Sequence, residues 1–205
     1  MKTILTFGDF TFEAPVESRL CRLCVELKKE FPNVKFRRKR KIWYHWIAHV
    51  LICVFTLGMN TKYFRYTTTG KKTIDWSDHH WNRLNTGVDL DRVWECLRHE
   101  REHLRQFKKY TRLGMVLLWA IPPIFLCYGR AVIIEKPGFL ESLRAKLETN
   151  SAYAKSPEYR KWWVSRFTGP AYGWAWVIKS QVERWFDEEV KNFGIKSGEI
   201  TSANL

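Results

Sequence analysis

The stretch from Thr86 to Tyr110 does most to limit what this chain can fold into. Val93, Leu97, Glu100, Leu104 and Phe107 fall on one stripe at helical spacing, with charged residues at most other positions. A helix of this kind has to bury that stripe against other elements. Thr86-Gly-Val-Asp89 has the spacing of a capping box, so the helix is expected to start there and run through Tyr110. In its middle stands His99-Glu100-Arg101-Glu102-His103, which spells H-E-x-x-H. Residues four apart lie one turn above each other on the same helix face, so His99 and His103 can share one metal ion. Glu100 lies beside the first His, where a carboxylate reaches a water held by the metal without becoming a ligand. Zinc lowers the pKa of such a water toward neutrality, and the carboxylate takes its proton as it attacks a carbonyl. Both His border the apolar stripe, so the motif faces inward rather than toward solvent.

A chain of 205 residues can bury a substantial core. Aromatic residues make up 16 % of it, too much apolar surface for a disordered protein. The net charge of +14 favours an anionic partner: nucleic acid, an anionic membrane surface or an acidic protein. The run Lys35-Phe-Arg-Arg-Lys-Arg-Lys41 is the natural place for that contact, or else a solvated basic strand or loop. The cysteines (Cys21, Cys24, Cys53, Cys96 and Cys127) are odd in number and irregularly spaced, and no export signal is expected, since Met1-Lys2 is followed by no long apolar core. They are expected to be ordinary thiols in a reducing compartment.

Taken in order, Met1 to Phe12 reads as a hairpin turning at Gly8-Asp9. A helix is expected from Pro15 to Phe31, ended by Pro32-Asn33. His45-Trp-Ile-Ala-His49 repeats the four-residue His spacing but has Trp46 where a base should be, so both His are read as core or interface residues. Tyr63 to Trp76 reads as a second hairpin turning at Gly70, with Asp78-His79-His80 in a polar loop after it. The run from Leu113 to Ile134 is nearly all apolar but is divided by Pro122-Pro123 and carries Arg130. A helix, a sharp turn and a returning helix suit it better than a straight membrane span. Phe139 to Asn150 and a segment starting at Ser156-Pro157-Glu158 read as helices. Thr168 to Gly173 reads as a loop, and Ala175 to Phe193 as a last helix closed by Gly194. Residues 195–205 are expected to form a flexible tail.

A catalytic zinc site uses three protein ligands and one open position. No His follows His103, so an acid on a later helix has to serve, and Glu135 is the leading candidate. On these residues the chain resembles the zincin metallopeptidases of the gluzincin type, whose third ligand is a Glu on a later helix. Arg98 to Gln106, Arg130-Ala131, Glu135 and Glu141-Ser-Leu-Arg144 also resemble small predicted metallopeptidases of bacteriophage and bacteria. The likeness continues in Phe167 to Trp176 and in Glu183-Arg-Trp-Phe186. The resemblance implies zinc held by His99, His103 and Glu135, Glu100 as general base, a protein or peptide substrate, and peptide-bond hydrolysis. In one respect the chain departs from the pattern: Pro137 and Gly138 follow Glu135 where helix-compatible residues are usual. Glu141 is the alternative third ligand.

The fold expected is α+β: a mainly helical zincin-like domain over 1–194, with a small antiparallel sheet near its N-terminal half. Residues 1–41 form the N-terminal hairpin and helix, and 42–194 the metallopeptidase-like core. The chain is expected to be cytoplasmic or virion-associated, not secreted, with peripheral membrane contact open to it. The competing reading is an inactive zinc-binding structural or virion-associated protein that contacts an anionic partner through its basic surface.

Overall fold

Strands β1 (Lys2–Phe7) and β2 (Phe10–Pro15) pair antiparallel, with Lys2 opposite Pro15 and Phe7 opposite Phe10. Gly8, at φ +68°, makes the tight turn between them, a backbone value that glycine adopts without steric cost. Alternate residues Phe10, Phe12 and Ala14 are buried while Thr11 and Glu13 face solvent. The computed structural model describes residues 1–55, 62–120, 129–169, 176 and 178–197. Contacts gather into two units, Met1–Leu113 and Gly114–Leu205, and the fold is α+β and mainly helical.

In the first unit, α1 (Arg19–Glu30) starts four residues later than Pro15, where its sequence suggests a start. Pro15 instead ends β2, a strand-end position that needs no backbone donor, and the Ser18 hydroxyl caps the helix by accepting from the Cys21 amide at 3.1 Å. Leu20, Leu23, Cys24 and Leu27 bury one face.

A three-stranded sheet has the order β3 (Lys35–Arg38), β5 (Thr73–Trp76), β4 (Thr68–Thr69). β3 and β5 are parallel, with Phe36 beside Ile74, and β4 adds antiparallel at the edge. A parallel pair requires a crossover, and a 3-10 turn (Lys39–Lys41) leads from β3 into α2 (Trp43–Phe55). The stacked rings of Phe7 and Phe36, 3.9 Å apart, join hairpin to sheet.

The second hairpin is much shorter than its β-prone residues suggest. Tyr63–Arg65 is a 3-10 turn, and of this arm Thr68 and Thr69 alone pair with β5. The Lys39 ammonium takes the carbonyls of Tyr63 and Tyr66, each at 3.0 Å, the groups a longer strand would have given to its ladder. Asp78-His79-His80, expected in a loop, opens helix α3 (Asp78–Thr86). Gly87, at φ +70°, ends that helix with its amide on the Arg83 carbonyl, and the Thr86 hydroxyl bonds the Asn82 carbonyl. Thr86-Gly-Val-Asp89 is therefore a helix stop followed by a left-handed Asp89, not a capping box.

Helix α4 (Leu90–Ala120) carries the H-E-x-x-H motif. Its helical geometry breaks at Thr111 (φ 61°, ψ 171°), directly after Tyr110, through which the helix is expected to run. Val93, Leu97, Glu100 and Leu104 are buried, and Phe107 is half-buried. On another face Arg101 bonds Glu26 and Glu30, at 2.9 and 2.8 Å, and Arg105 bonds Glu30 at 2.7 Å. These pairs to α1 set the rotation of α4 about its axis. The Arg105 hydrogen bond, with Arg101 beside it, holds the Glu30 carboxyl below its ordinary value against the effect of burial.

In the second unit a π-helical turn (Gly129–Glu135) runs straight into α5 (Lys136–Thr149). Pro137 and Gly138 do not interrupt it and lie in the first turn of α5. α6 (Ser151–Ala154), α7 (Pro157–Thr168) and α8 (Lys179–Lys196) complete a core built on Phe139, Leu143, Trp163, Phe167, Val182 and Phe186. The Ser156 hydroxyl caps α7 as its sequence suggests, accepting from the Tyr159 amide at 3.2 Å. α8 continues past Gly194, which is buried inside it. The expected Pro122-Pro123 turn, Cys127, the 170–175 loop and the tail from 198 lie outside the described residues. Among the described residues, no helix is long and apolar enough to cross a membrane.

Candidate metal centre

His99, Glu100 and His103 occupy one turn of α4, and the helix brings the two imidazoles together as their spacing requires. Their Nε2 atoms lie 3.0 Å apart, with ring centroids at 4.8 Å and planes at 76°. Both rings are half-buried. Gln106, buried one turn on, places Oε1 2.9 Å from His103 Nδ1. An amide oxygen only accepts, so Nδ1 carries the proton and His103 Nε2 presents a lone pair. That is the tautomer a metal-binding histidine needs, with its distal nitrogen held by a hydrogen-bond partner. Two imidazole nitrogens converging on one point, one already in the ligating tautomer, fit a zinc ion.

Glu100 is 5 % exposed. Its Oε2 accepts from the Thr69 hydroxyl at 2.6 Å, and the Cys96 thiol lies 4.0 Å from Oε1. Lys39 is completely buried, with its ammonium 3.6 Å from the Tyr63 ring centroid and bonded to two carbonyls. Burial pushes the Lys39 ammonium down to about 7, although Glu100 and Asp75 pull it back up. Glu100 is thus buried within the first unit rather than open to solvent.

Asp75 on β5 organises a second buried network. Its carboxylate accepts from Arg37 Nε at 2.7 Å and from Arg37 Nη2 at 2.9 Å, and lies 2.9 Å from His45 Nε2. The other nitrogen of His45 meets the Tyr63 hydroxyl at 2.6 Å. Burial raises the Asp75 carboxyl, but the hydrogen bonds from His45 and Arg37 outweigh it and hold the group below its ordinary value. His45 is therefore a core residue, and half-buried His49 stacks on Tyr63. Burial pushes His80 down to about 4, helped by His79 and Arg83, and its ring lies against Ser77 and Thr67.

The basic run is largely committed within the fold. Arg37 serves Asp75, Arg38 and Arg40 both bond Asp78, and Lys39 is buried. Among the described residues there is no disulfide; Cys21 and Cys24 are buried thiols, and burial pushes Cys24 up.

Glu135 and Glu141 belong to the second unit. Glu135 is 6 % exposed and closes the π-helical turn, an irregularity common at functional positions. Glu141 is engaged by Arg144 at 2.5 Å, which also bonds Glu189 at 2.6 Å. Of the acids available to orient the imidazoles, Glu102 pairs with Arg105 and Asp187 with Arg160. Gln106 takes that orienting place on His103. Its position three residues after His103 was the available signal, whereas nothing in the sequence points to Thr69 or Lys39. No protein-family model, no curated protein and no solved structure matches the chain.

Proposed function

We propose that this protein is a zinc-dependent peptidase. The observation that carries the reading is the convergence of His99 and His103 Nε2 at 3.0 Å, with Gln106 holding His103 in the ligating tautomer. His99 and His103 would hold the ion through Nε2. Glu135 is the third ligand in this reading, because no His follows His103 and the Glu141 carboxylate is taken by Arg144. A bound zinc supplies the Lewis acid that makes a water nucleophilic near neutral pH. Glu100 would take the proton of that water and return it to the leaving amine.

The burial of Glu100 and its bond to Thr69 favour a second reading, in which the site holds zinc without turnover. One set of proteins separates the two. Wild type, His99→Ala, Glu135→Ala, Glu141→Ala and Glu100→Gln are purified without chelators and measured for zinc by elemental analysis and for cleavage of a peptide library. One zinc per chain, lost in the first two variants and kept in the last two, supports the centre. Cleavage by wild type that disappears in Glu100→Gln supports the peptidase. Zinc without cleavage supports the second reading, and zinc absent from wild type overturns both.

A further inference from the structure

Helix α2 is amphipathic in the reverse sense. His45 is buried and His49 half-buried against the 3-10 turn at Tyr63, so the polar side of the helix faces the protein. Trp43, Trp46, Ile47, Val50, Leu51 and Val54, spaced to form one continuous stripe, face outward, with Trp43 72 % and Val54 64 % exposed. An apolar stripe of this extent on a surface marks a docking face.

The surrounding charge says what docks there. Between Glu30 and Asp75 the sequence has no Asp or Glu but has Lys or Arg ten times, of which Arg37, Arg38 and Arg40 pair with Asp75 or Asp78 and Lys39 is buried. Exposed Lys41 immediately precedes the helix, and exposed Lys62 and Arg65 flank the turn that packs on it. The guanidinium of Arg40 lies over the rings of Trp46 and Phe64, 5.9 and 5.5 Å from their centroids, at the edge of the stripe. Aliphatic residues bounded by Trp and by cations match the boundary between acyl chains and anionic headgroups. A second copy of the chain would bring like charges together around the stripe, and a nucleic-acid backbone would leave its aliphatic side chains unburied. Over its described residues the helix has 13 residues, roughly 20 Å at 1.5 Å per residue, a length short of a bilayer crossing.

We propose that the outward face of α2 seats this protein on an anionic lipid bilayer, the helix lying flat in the interface with Trp43, Trp46, Ile47, Val50, Leu51 and Val54 inserted. This inference is independent of the zinc site. The test is flotation of the full-length protein with phosphatidylcholine vesicles, with and without roughly 30 % phosphatidylglycerol, a strongly anionic surface. The expected result is binding to the anionic vesicles alone, weakened at least about ten-fold in Ile47→Glu/Leu51→Glu, since each charge would have to enter the apolar layer. Lys41→Glu/Lys62→Glu, which leaves the stripe intact, should also weaken binding, as should raising salt from about 50 to about 500 mM. Circular dichroism and zinc content should match wild type in both variants. Failure of wild type to float with anionic vesicles overturns the proposal, as does undiminished flotation of a folded Ile47→Glu/Leu51→Glu protein. A lipid-free dimer that the same double variant converts to monomer also overturns it and makes the stripe a self-association face.

Discussion

Thr69 donates its hydroxyl to Glu100 Oε2 at 2.6 Å, tying the edge strand β4 to the middle of α4. The contact links two pieces of chain 31 residues apart. Replacing Thr69 with Val keeps the shape and removes a donor from a buried carboxylate. The expected loss is about 1–3 kcal/mol of unfolding free energy, measured by urea denaturation. An unchanged midpoint would show that the contact contributes nothing to stability. If Glu100 acts as a base, the acid limb of the pH–rate profile should also move upward, because loss of this hydrogen bond favours the protonated carboxyl.

Gln106→Leu removes the acceptor that holds His103 in its Nδ1-protonated tautomer. Zinc affinity is expected to fall by about 10–100-fold, the usual effect of deleting a partner behind a ligand, while His99→Ala abolishes binding. Competition with a chromophoric chelator measures both. Equal affinity in wild type and Gln106→Leu would remove Gln106 from the centre.

Lys39 makes stability depend on pH in a specific direction. Burial lowers the folded-state value to about 7 from 10.5, so between those values the unfolded chain holds a proton that the native protein has shed. Native stability therefore rises with pH across this window. Relative to Lys39→Met, wild type should gain stability between about pH 7 and 9, by a few kcal/mol at most. Denaturant titrations at three pH values give the difference directly. A flat difference would mean that the ammonium stays charged in the folded protein.

Asp75→Asn leaves Arg37 and His45 facing a neutral amide in the interior, and a cost of about 3–5 kcal/mol is expected from breaking a buried pair in this way. Because the folded-state Asp75 value lies below the ordinary 3.8, the stability it contributes is present above that value and lost as pH falls through the folded value. Acid unfolding of wild type should approach that of Asp75→Asn below about pH 4. Equal unfolding free energies at pH 7 would show that the network is energetically neutral.

Local pattern was enough to place the H-E-x-x-H motif. A helix repeats every 3.6 residues whatever it packs against, so His99 and His103 had to share a face, and Val93, Leu97 and Leu104 had to bury the neighbouring one. The Gly8-Asp9 turn, the Ser156 cap and the mainly helical α+β class follow from equally short-range chemistry. Asp78-His79-His80 reads as a loop because polar residues dominate it, yet it is helical: Arg38 and Arg40, distant in sequence, meet Asp78 in its first turn. Lys39 belongs to a basic run that reads as solvent-facing or phosphate-binding, and it lies fully buried with the carbonyls of Tyr63 and Tyr66. α2 follows the same rule in reverse, because Asp75 and Tyr63 draw His45 inward and turn the apolar stripe out. Periodicity states which residues share a face and is silent on which face the rest of the chain will cover. That choice is made by partners far away in sequence, and so only the tertiary structure decides it.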